Sequence, residues 1–103
     1  MKSLIDFNRP TAMMLGRWQP WHQGHQELFK KTLERTGQVI IMIRSMPSSI
    51  NNPFDVEQVE KNITEALAIY HGRYQIGVVP NITNICYGRG VGYKIEEIEL
   101  PKD

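Results

Sequence analysis

The sequence predicts an α/β protein built on a parallel sheet of about four to five strands. Short apolar runs of the kind that form buried strands occupy residues 11–15 and 39–43. A segment with helical spacing of apolar residues separates these runs, and a second such segment follows them. Because strands and helices alternate, the strands should be parallel and joined by right-handed crossovers. We therefore expect a three-layer, Rossmann-like fold with helices on both faces of the sheet.

The first predicted helix covers residues 24–36. Gly16 interrupts the first apolar run, and a polar and aromatic loop leads from there into the helix. Gly37 is suited to end the helix because glycine adopts the left-handed conformation of a C-terminal stop. Apolar or small side chains recur at intervals of three and four along one face, namely Leu28, Phe29, Thr32 and Leu33.

The second predicted helix follows a long loop. Residues 45–53 are rich in proline, serine and asparagine, a composition that forms turns and cannot continue a strand. Asp55 can cap the helix that follows, and Gln58 three residues later completes a capping-box pattern. Apolar residues at helical spacing continue to about residue 70, so the helix should end near Gly72.

Two further strands are predicted after this helix. Tyr74–Val79 is an apolar run closed by Pro80, and residues 85–87 form a shorter run that predicts a fourth strand. Cys86 lies within that run and is the single cysteine of the chain, so it cannot form an intramolecular disulfide. We interpret it as a buried apolar filler.

Composition narrows the class of protein. A chain of 103 residues fits a single domain, and 41% hydrophobic with 22% charged residues is ordinary for an ordered, soluble protein. The formal net charge of +1 provides no field that would concentrate nucleic acid or anionic lipid. No run reaches membrane-spanning length, and the first ten residues lack the apolar stretch of a signal peptide. We expect a cytoplasmic protein without nucleic-acid or membrane partners, and its small size favours a homo-oligomer, most simply a dimer.

The loop after the first strand carries the residues with the clearest chemistry. Ligands of parallel α/β sheets bind beyond the carboxyl ends of the strands, where this loop must lie. Gly24 allows close approach of a ligand, and the free N–H groups of the following helix start attract a phosphate. The imidazoles of His22 and His25 can converge on one anion, and the permanently charged, planar guanidinium of Arg17 can bind phosphate oxygens. A zinc site is a weaker alternative, because only His71 and Cys86 could add ligands, so no protein metal ligand is assigned.

Residues 16–25, with the sequence GRWQPWHQGH, resemble the nucleotidyltransferase superfamily, whose cytidylyltransferase-like members carry a His-x-Gly-His signature after the first strand. The form Gly-Arg-aromatic-Gln-Pro-x-His-x-Gly-His is similar to that of the nicotinamide-mononucleotide adenylyltransferase branch. The Asn52-Pro53-Phe54 segment is a further match to that branch. No segment matches the second phosphate-binding signature of the family, Ile-Ser-x-Thr-x-x-Arg, so the chain looks like a short version of this domain.

The resemblance implies transfer of a nucleoside monophosphate from ATP or CTP to a small phosphorylated acceptor, with release of pyrophosphate and with Mg²⁺ as the cofactor. Catalysis would come from His22, His25 and Arg17 through positioning and charge stabilisation. Arg44 and Asn52 could contact the acceptor. The residues expected to bind the nucleotide are Gly16, Arg17, Trp18, Gln19, His22, Gly24, His25, Gly88 and Arg89.

Several residues allow a plainer interpretation. His22 and His25 could be surface or helix-capping histidines, although the ten-residue context argues against this. Trp18 and Trp21 could stack on a base, although aromatic residues beside a first strand more often pack, and we favour packing for at least one. Arg44 and Arg89 could equally be solvated surface residues. The glycines at 88, 90 and 92 do not fit the dinucleotide fingerprint. At the level of function, the alternative is a nucleotide-binding or regulatory module without turnover, supported by the missing second signature.

Overall fold

Strands and helices alternate in the computed structural model, which describes residues 4–88, 92 and 94–98. The helices begin and end within about two residues of the predicted positions, except that the second is shorter and continues as a 3₁₀ turn. In chain order the elements are β1 (Ala12–Gly16), α1 (Gln23–Thr36), β2 (Val39–Arg44), α2 (Val56–Ala66), the 3₁₀ turn (Ala68–Tyr70) and β3 (Tyr74–Val79).

The three strands form one parallel sheet in the order β1-β2-β3. Ala12 of β1 is in register with Val39 of β2, which in turn is in register with Tyr74 of β3. The predicted class, an α/β protein with a parallel Rossmann-like sheet, is therefore confirmed. Both crossovers step in the same direction along the sheet, so two right-handed connections place α1 and α2 on the same face.

The core lies between that face and the two helices. Val39, Ile41 and Ile43 alternate along β2 and are almost fully buried, as side chains pointing to one face must be. Phe29 of α1 and Ile63 of α2 belong to the same buried cluster and are fully buried. The helical layer that we expected on the opposite face has no counterpart among the described residues, and Met13 of β1 is 56% exposed.

The predicted fourth strand at residues 85–87 is not present. Ile85 and Tyr87 are 59% and 54% exposed, and these residues have no regular structure. Three residues flanked by polar neighbours bury too little apolar surface to offset the ordering of the chain. Cys86 is exposed, so its interpretation as a buried filler is wrong. The described sheet thus has three strands instead of four to five.

A buried glutamine fixes the chain that leads into β1. Gln38 is 4% exposed, and its Oε1 accepts a hydrogen bond from the Asp6 amide at 3.1 Å. Its Nε2 donates to the Asp6 carbonyl and to Thr11 Oγ1, both at 2.7 Å. These bonds satisfy a side chain that would otherwise be costly to bury. No helix of the described part of the chain is long and apolar enough to cross a membrane.

Candidate functional site

An open cavity of about 290 Å³ lies at the carboxyl end of β1. Two loops border it: the first loop, residues 17–22 between β1 and α1, and the second loop, residues 45–55 between β2 and α2. Its position matches the place where parallel α/β sheets bind ligands. The structure brings together most of the predicted nucleotide-binding residues here, and the lining consists of Gly16, Arg17, Trp18, Gln19, Pro20, His22, His25 and Asn51.

The two histidines form a stacked pair that caps α1. Their ring centroids are 3.7 Å apart and the rings are tilted by 15°. His22 Nδ1 accepts from the amides of Gly24 and His25 at 3.0 and 3.4 Å, and His25 Nδ1 accepts from the His22 amide at 3.3 Å. A ring nitrogen that accepts carries no proton, so each neutral imidazole has its proton on Nε2.

This arrangement changes the expected mode of phosphate binding. The helix start was predicted to offer free backbone N–H groups, but the His22 ring already accepts from those of Gly24 and His25. Gly24 leaves room for the His22 ring, because a Cβ atom at position 24 would lie only 2.9 Å from His22 Cε1. An anion in the cavity would therefore meet the His22 imidazole before it meets these backbone amides.

His25 is held in its neutral form. Its ring lies edge-on to Trp18 with centroids 4.9 Å apart, and the Trp21 ring is 5.5 Å away. Burial first, and the neighbouring His22 second, lower the pKa of His25 to about 4, whereas a hydrogen bond to the Pro20 carbonyl acts in the opposite direction. At neutral pH, His25 thus donates a hydrogen bond without carrying a charge.

Acid should destabilise the fold through His25. The ordinary histidine pKa of 6.5 applies to the unfolded chain, and the folded value is about 4, so the unfolded state binds the proton more tightly. The free energy of unfolding should fall as the pH drops from about 6.5 to about 4, and this contribution should level off below that. Thermal melts across this range would measure it. His25→Gln retains a side chain suited to a capping box, and an unchanged pH slope in that variant would contradict the assignment.

Both tryptophans pack against the protein. Trp18 and Trp21 are 6% and 9% exposed, and Trp18 Nε1 donates to the Met42 carbonyl at 3.2 Å. Gly16 permits this approach, because a Cβ atom there would lie 2.9 Å from the Trp18 ring. We expected at least one tryptophan to pack against the protein, and both do. Both rings also contact the ring of His25.

Arg17 reaches across to the second loop. It is exposed, and its Nη1 donates to Asn52 Oδ1 at 3.4 Å. Asn52, which we expected to contact the acceptor, is 6% exposed and also bonds Ser49, so it orients Arg17 and does not face the cavity. Asn51 lines the cavity instead. The sequence predicted that this loop lies near the ligand site, but nothing in the sequence distinguished which of the two asparagines lines the cavity.

Two of the remaining predicted site residues, Arg44 and Gly88, do not line this cavity. Arg44 follows β2 as expected, but its Nη2 donates to Asn81 Oδ1 at 2.6 Å and it does not line the cavity. Its Nε is buried and has no hydrogen-bond partner in the described part of the chain. Gly88 is exposed and also lies outside the lining. Arg89 falls outside the described residues.

The cavity provides poor protein ligands for a metal ion. No cluster of three or more His, Cys, Asp or Glu residues occurs in the described ranges. Mg²⁺ prefers oxygen ligands, mostly carboxylates, phosphates and water, and no carboxylate lines this cavity. The described residues therefore do not fit a directly bound Mg²⁺.

Comparison with known proteins narrows the class. The chain is 40% identical over 67 residues to the nicotinamide-nucleotide adenylyltransferase of Methanococcus vannielii, covering 63% of this chain and 39% of that protein. Proteins of the same name from Methanosphaerula palustris and Picrophilus torridus are 42% and 37% identical over 59 and 71 residues. These matches cover 55% and 67% of this chain and 35% and 41% of the two relatives. No family model matches the chain.

The fold and the first loop agree with the resemblance to the nucleotidyltransferase superfamily: the described chain forms a parallel α/β sheet whose first loop leads into a His-x-Gly-His segment. The named relatives then confirm the more particular relationship predicted from residues 16–25, namely that to the nicotinamide-mononucleotide adenylyltransferase branch. The chain spans about two fifths of the length of the curated relatives it matches.

Proposed function

We propose that this chain carries the phosphate-binding half of an adenylyltransferase active site, with ATP and a nicotinamide mononucleotide as its substrates. The observation that carries the proposal is the histidine pair, whose Nδ1 atoms are held by the backbone beside Arg17 in one cavity. The names of the relatives support the choice of ATP and of the acceptor. CTP and other phosphorylated acceptors remain the comparison substrates in the assay.

In the proposed reaction, an oxygen of the acceptor phosphate attacks the α-phosphorus of ATP. A new phosphorus–oxygen bond forms, the bond from the α-phosphorus to the bridging oxygen breaks, and pyrophosphate leaves with that oxygen. No covalent enzyme intermediate is needed. Nε2–H of His22 would donate to a phosphate oxygen as negative charge moves toward the leaving group, and His25 would turn its Nε2–H from the Pro20 carbonyl to the same phosphate. The Arg17 guanidinium would neutralise part of that charge.

The assay follows pyrophosphate release with ATP or CTP against nicotinamide mononucleotide and other phosphorylated acceptors, with and without Mg²⁺. We expect release with ATP and nicotinamide mononucleotide that depends on Mg²⁺, because the cation would enter with the triphosphate. Calorimetry with each triphosphate runs in parallel. Binding without release would support the alternative, a nucleotide-binding module without turnover, and the absence of binding would contradict the site.

The oligomeric state is a separate proposal. We expect a homodimer from the small size of the chain. Sedimentation velocity at several protein concentrations measures it, and a monomer throughout would contradict it.

A further inference from the structure

A single side chain ties the second loop to the first. Gln19 Nε2 donates to the Phe54 carbonyl at 2.8 Å, and the Phe54 amide donates to Gln19 Oε1 at 3.0 Å. The carboxamide thus pairs with both backbone groups of one residue, as a neighbouring strand would. Both bonds are partly buried, so solvent competes with them less than at an exposed site.

The position of this tie matters for the cavity. Phe54 lies two residues after Asn52, which accepts from Arg17, and three after Asn51, which lines the cavity. Phe54 is also followed directly by Asp55, whose side chain caps α2. The Gln19 bonds therefore set the distance between the two cavity walls at the point where the second loop enters α2.

The tip of the second loop is exposed and is hydrogen-bonded mainly within itself. Ile50 is 98% exposed, and the loop is braced internally by reciprocal backbone bonds between Ser49 and Asn52 at 3.1 and 3.2 Å. The hydrogen bonds described between this loop and the first are those of Gln19 with Phe54 and of Arg17 with Asn52, and the Phe54 ring also packs against the buried core cluster. The bond between Arg17 and Asn52 is long, at 3.4 Å, so the two Gln19 bonds are the firmer connection.

We propose that Gln19 is a positioning residue: it holds the second loop against the first so that Asn52 directs Arg17 into the nucleotide site. From sequence, Gln19 was expected to contact the nucleotide itself. The proposal rests on the proposed function for its catalytic consequence, since Arg17 matters for rate only if a nucleotide reacts there. The placement of the loop by Gln19 is a property of the fold and can be measured without turnover.

Gln19→Glu tests these bonds most directly. The substitution keeps the shape of the side chain but replaces the amide that donates to the Phe54 carbonyl by a carboxylate oxygen. Two acceptors then oppose each other, and the loop should move away. We expect kcat to fall by about 10- to 100-fold, the order expected for a small misplacement of a catalytic group, with a smaller change in KM for ATP. Gln58→Glu is the matched control, since Gln58 is exposed on α2 and bonds Asn62. It should stay near wild type.

Two further measurements distinguish positioning from direct contact. In Gln19→Glu with Asn52→Ala, the combined loss of kcat should be smaller than the product of the single losses, because both changes release the same guanidinium. Amide hydrogen exchange in residues 45–54 should be faster in Gln19→Glu than in wild type. Multiplicative losses of kcat would show that Gln19 and Asn52 act independently and would overturn the proposal.

The exchange measurement also separates the two proposals. If the wild-type chain releases no pyrophosphate, the proposed function fails, and exchange alone then decides whether Gln19 places the second loop. Unchanged exchange in Gln19→Glu would overturn that placement regardless of activity. Faster exchange, with Gln58→Glu matching wild type, would support it.

Discussion

Replacing His22 by asparagine should lower the rate of pyrophosphate release by about 100-fold or more, the order seen when one donor to a developing charge is removed. The melting temperature should change little. Asparagine is among the preferred N-cap residues, so it can accept from the first amides of α1 as His22 Nδ1 does. It cannot place an N–H where the imidazole Nε2 lies. Release of pyrophosphate and thermal melts measure the two effects separately.

His22→Ala is the informative companion to this variant. It removes the cap as well as the donor, and the loss of an N-cap side chain costs about 0.5–2 kcal/mol of stability. We therefore expect it to lose activity to a similar extent and to melt at a lower temperature than His22→Asn. If His22→Asn keeps wild-type release while His22→Ala loses it, the histidine acts as a helix cap and the proposed phosphate contact is wrong.

Phe29→Ala should be severely destabilising. The side chain is fully buried in α1, and its ring contacts those of Tyr70 and Tyr74 with centroids 5.1 and 6.0 Å apart. Truncation of a buried phenylalanine typically costs about 3–5 kcal/mol. The free energy of unfolding for a chain of this size is about 5–15 kcal/mol, so much of it would be lost. Urea unfolding followed by circular dichroism measures the change.

Glu34→Ala provides the control for that prediction. Glu34 is exposed on the same helix, and alanine is an equally good or better helix former. Its unfolding midpoint should stay close to that of wild type. A destabilisation by Phe29→Ala no larger than that by Glu34→Ala would mean that this residue does not hold α1 on the sheet.

Where the chain carries strong local signals, the sequence predicted the structure well. Tyr74–Val79 was predicted residue by residue, because Pro80 cannot continue the strand. The strand predicted at residues 85–87 is absent, since a three-residue apolar run forms a strand only if a partner strand pairs with it. The helical cap at Asp55 was predicted and is present, although Gln58 bonds Asn62 and does not complete the capping box.

The sequence indicated the loop that lines the cavity but not the contacts of its side chains. Residues 16–25 indicated the loop, and Arg17, His22 and His25 all line one cavity. Helix capping by His22 was the disfavoured interpretation from sequence, because histidine is not among the usual N-cap residues. Asn52 is buried, and its burial depends on how the second loop folds back on the first.

The sequence by itself determined the order of strands and helices and the loop that carries the histidines, because these follow from periodicity, glycine and proline along a continuous stretch of chain. The tertiary structure decided which polar groups are already satisfied. The bonds of Gln19 to Phe54 join residues 35 positions apart, and the low pKa of His25 comes from burial beside Trp18. Such pairings depend on distances in space, which local sequence patterns do not encode.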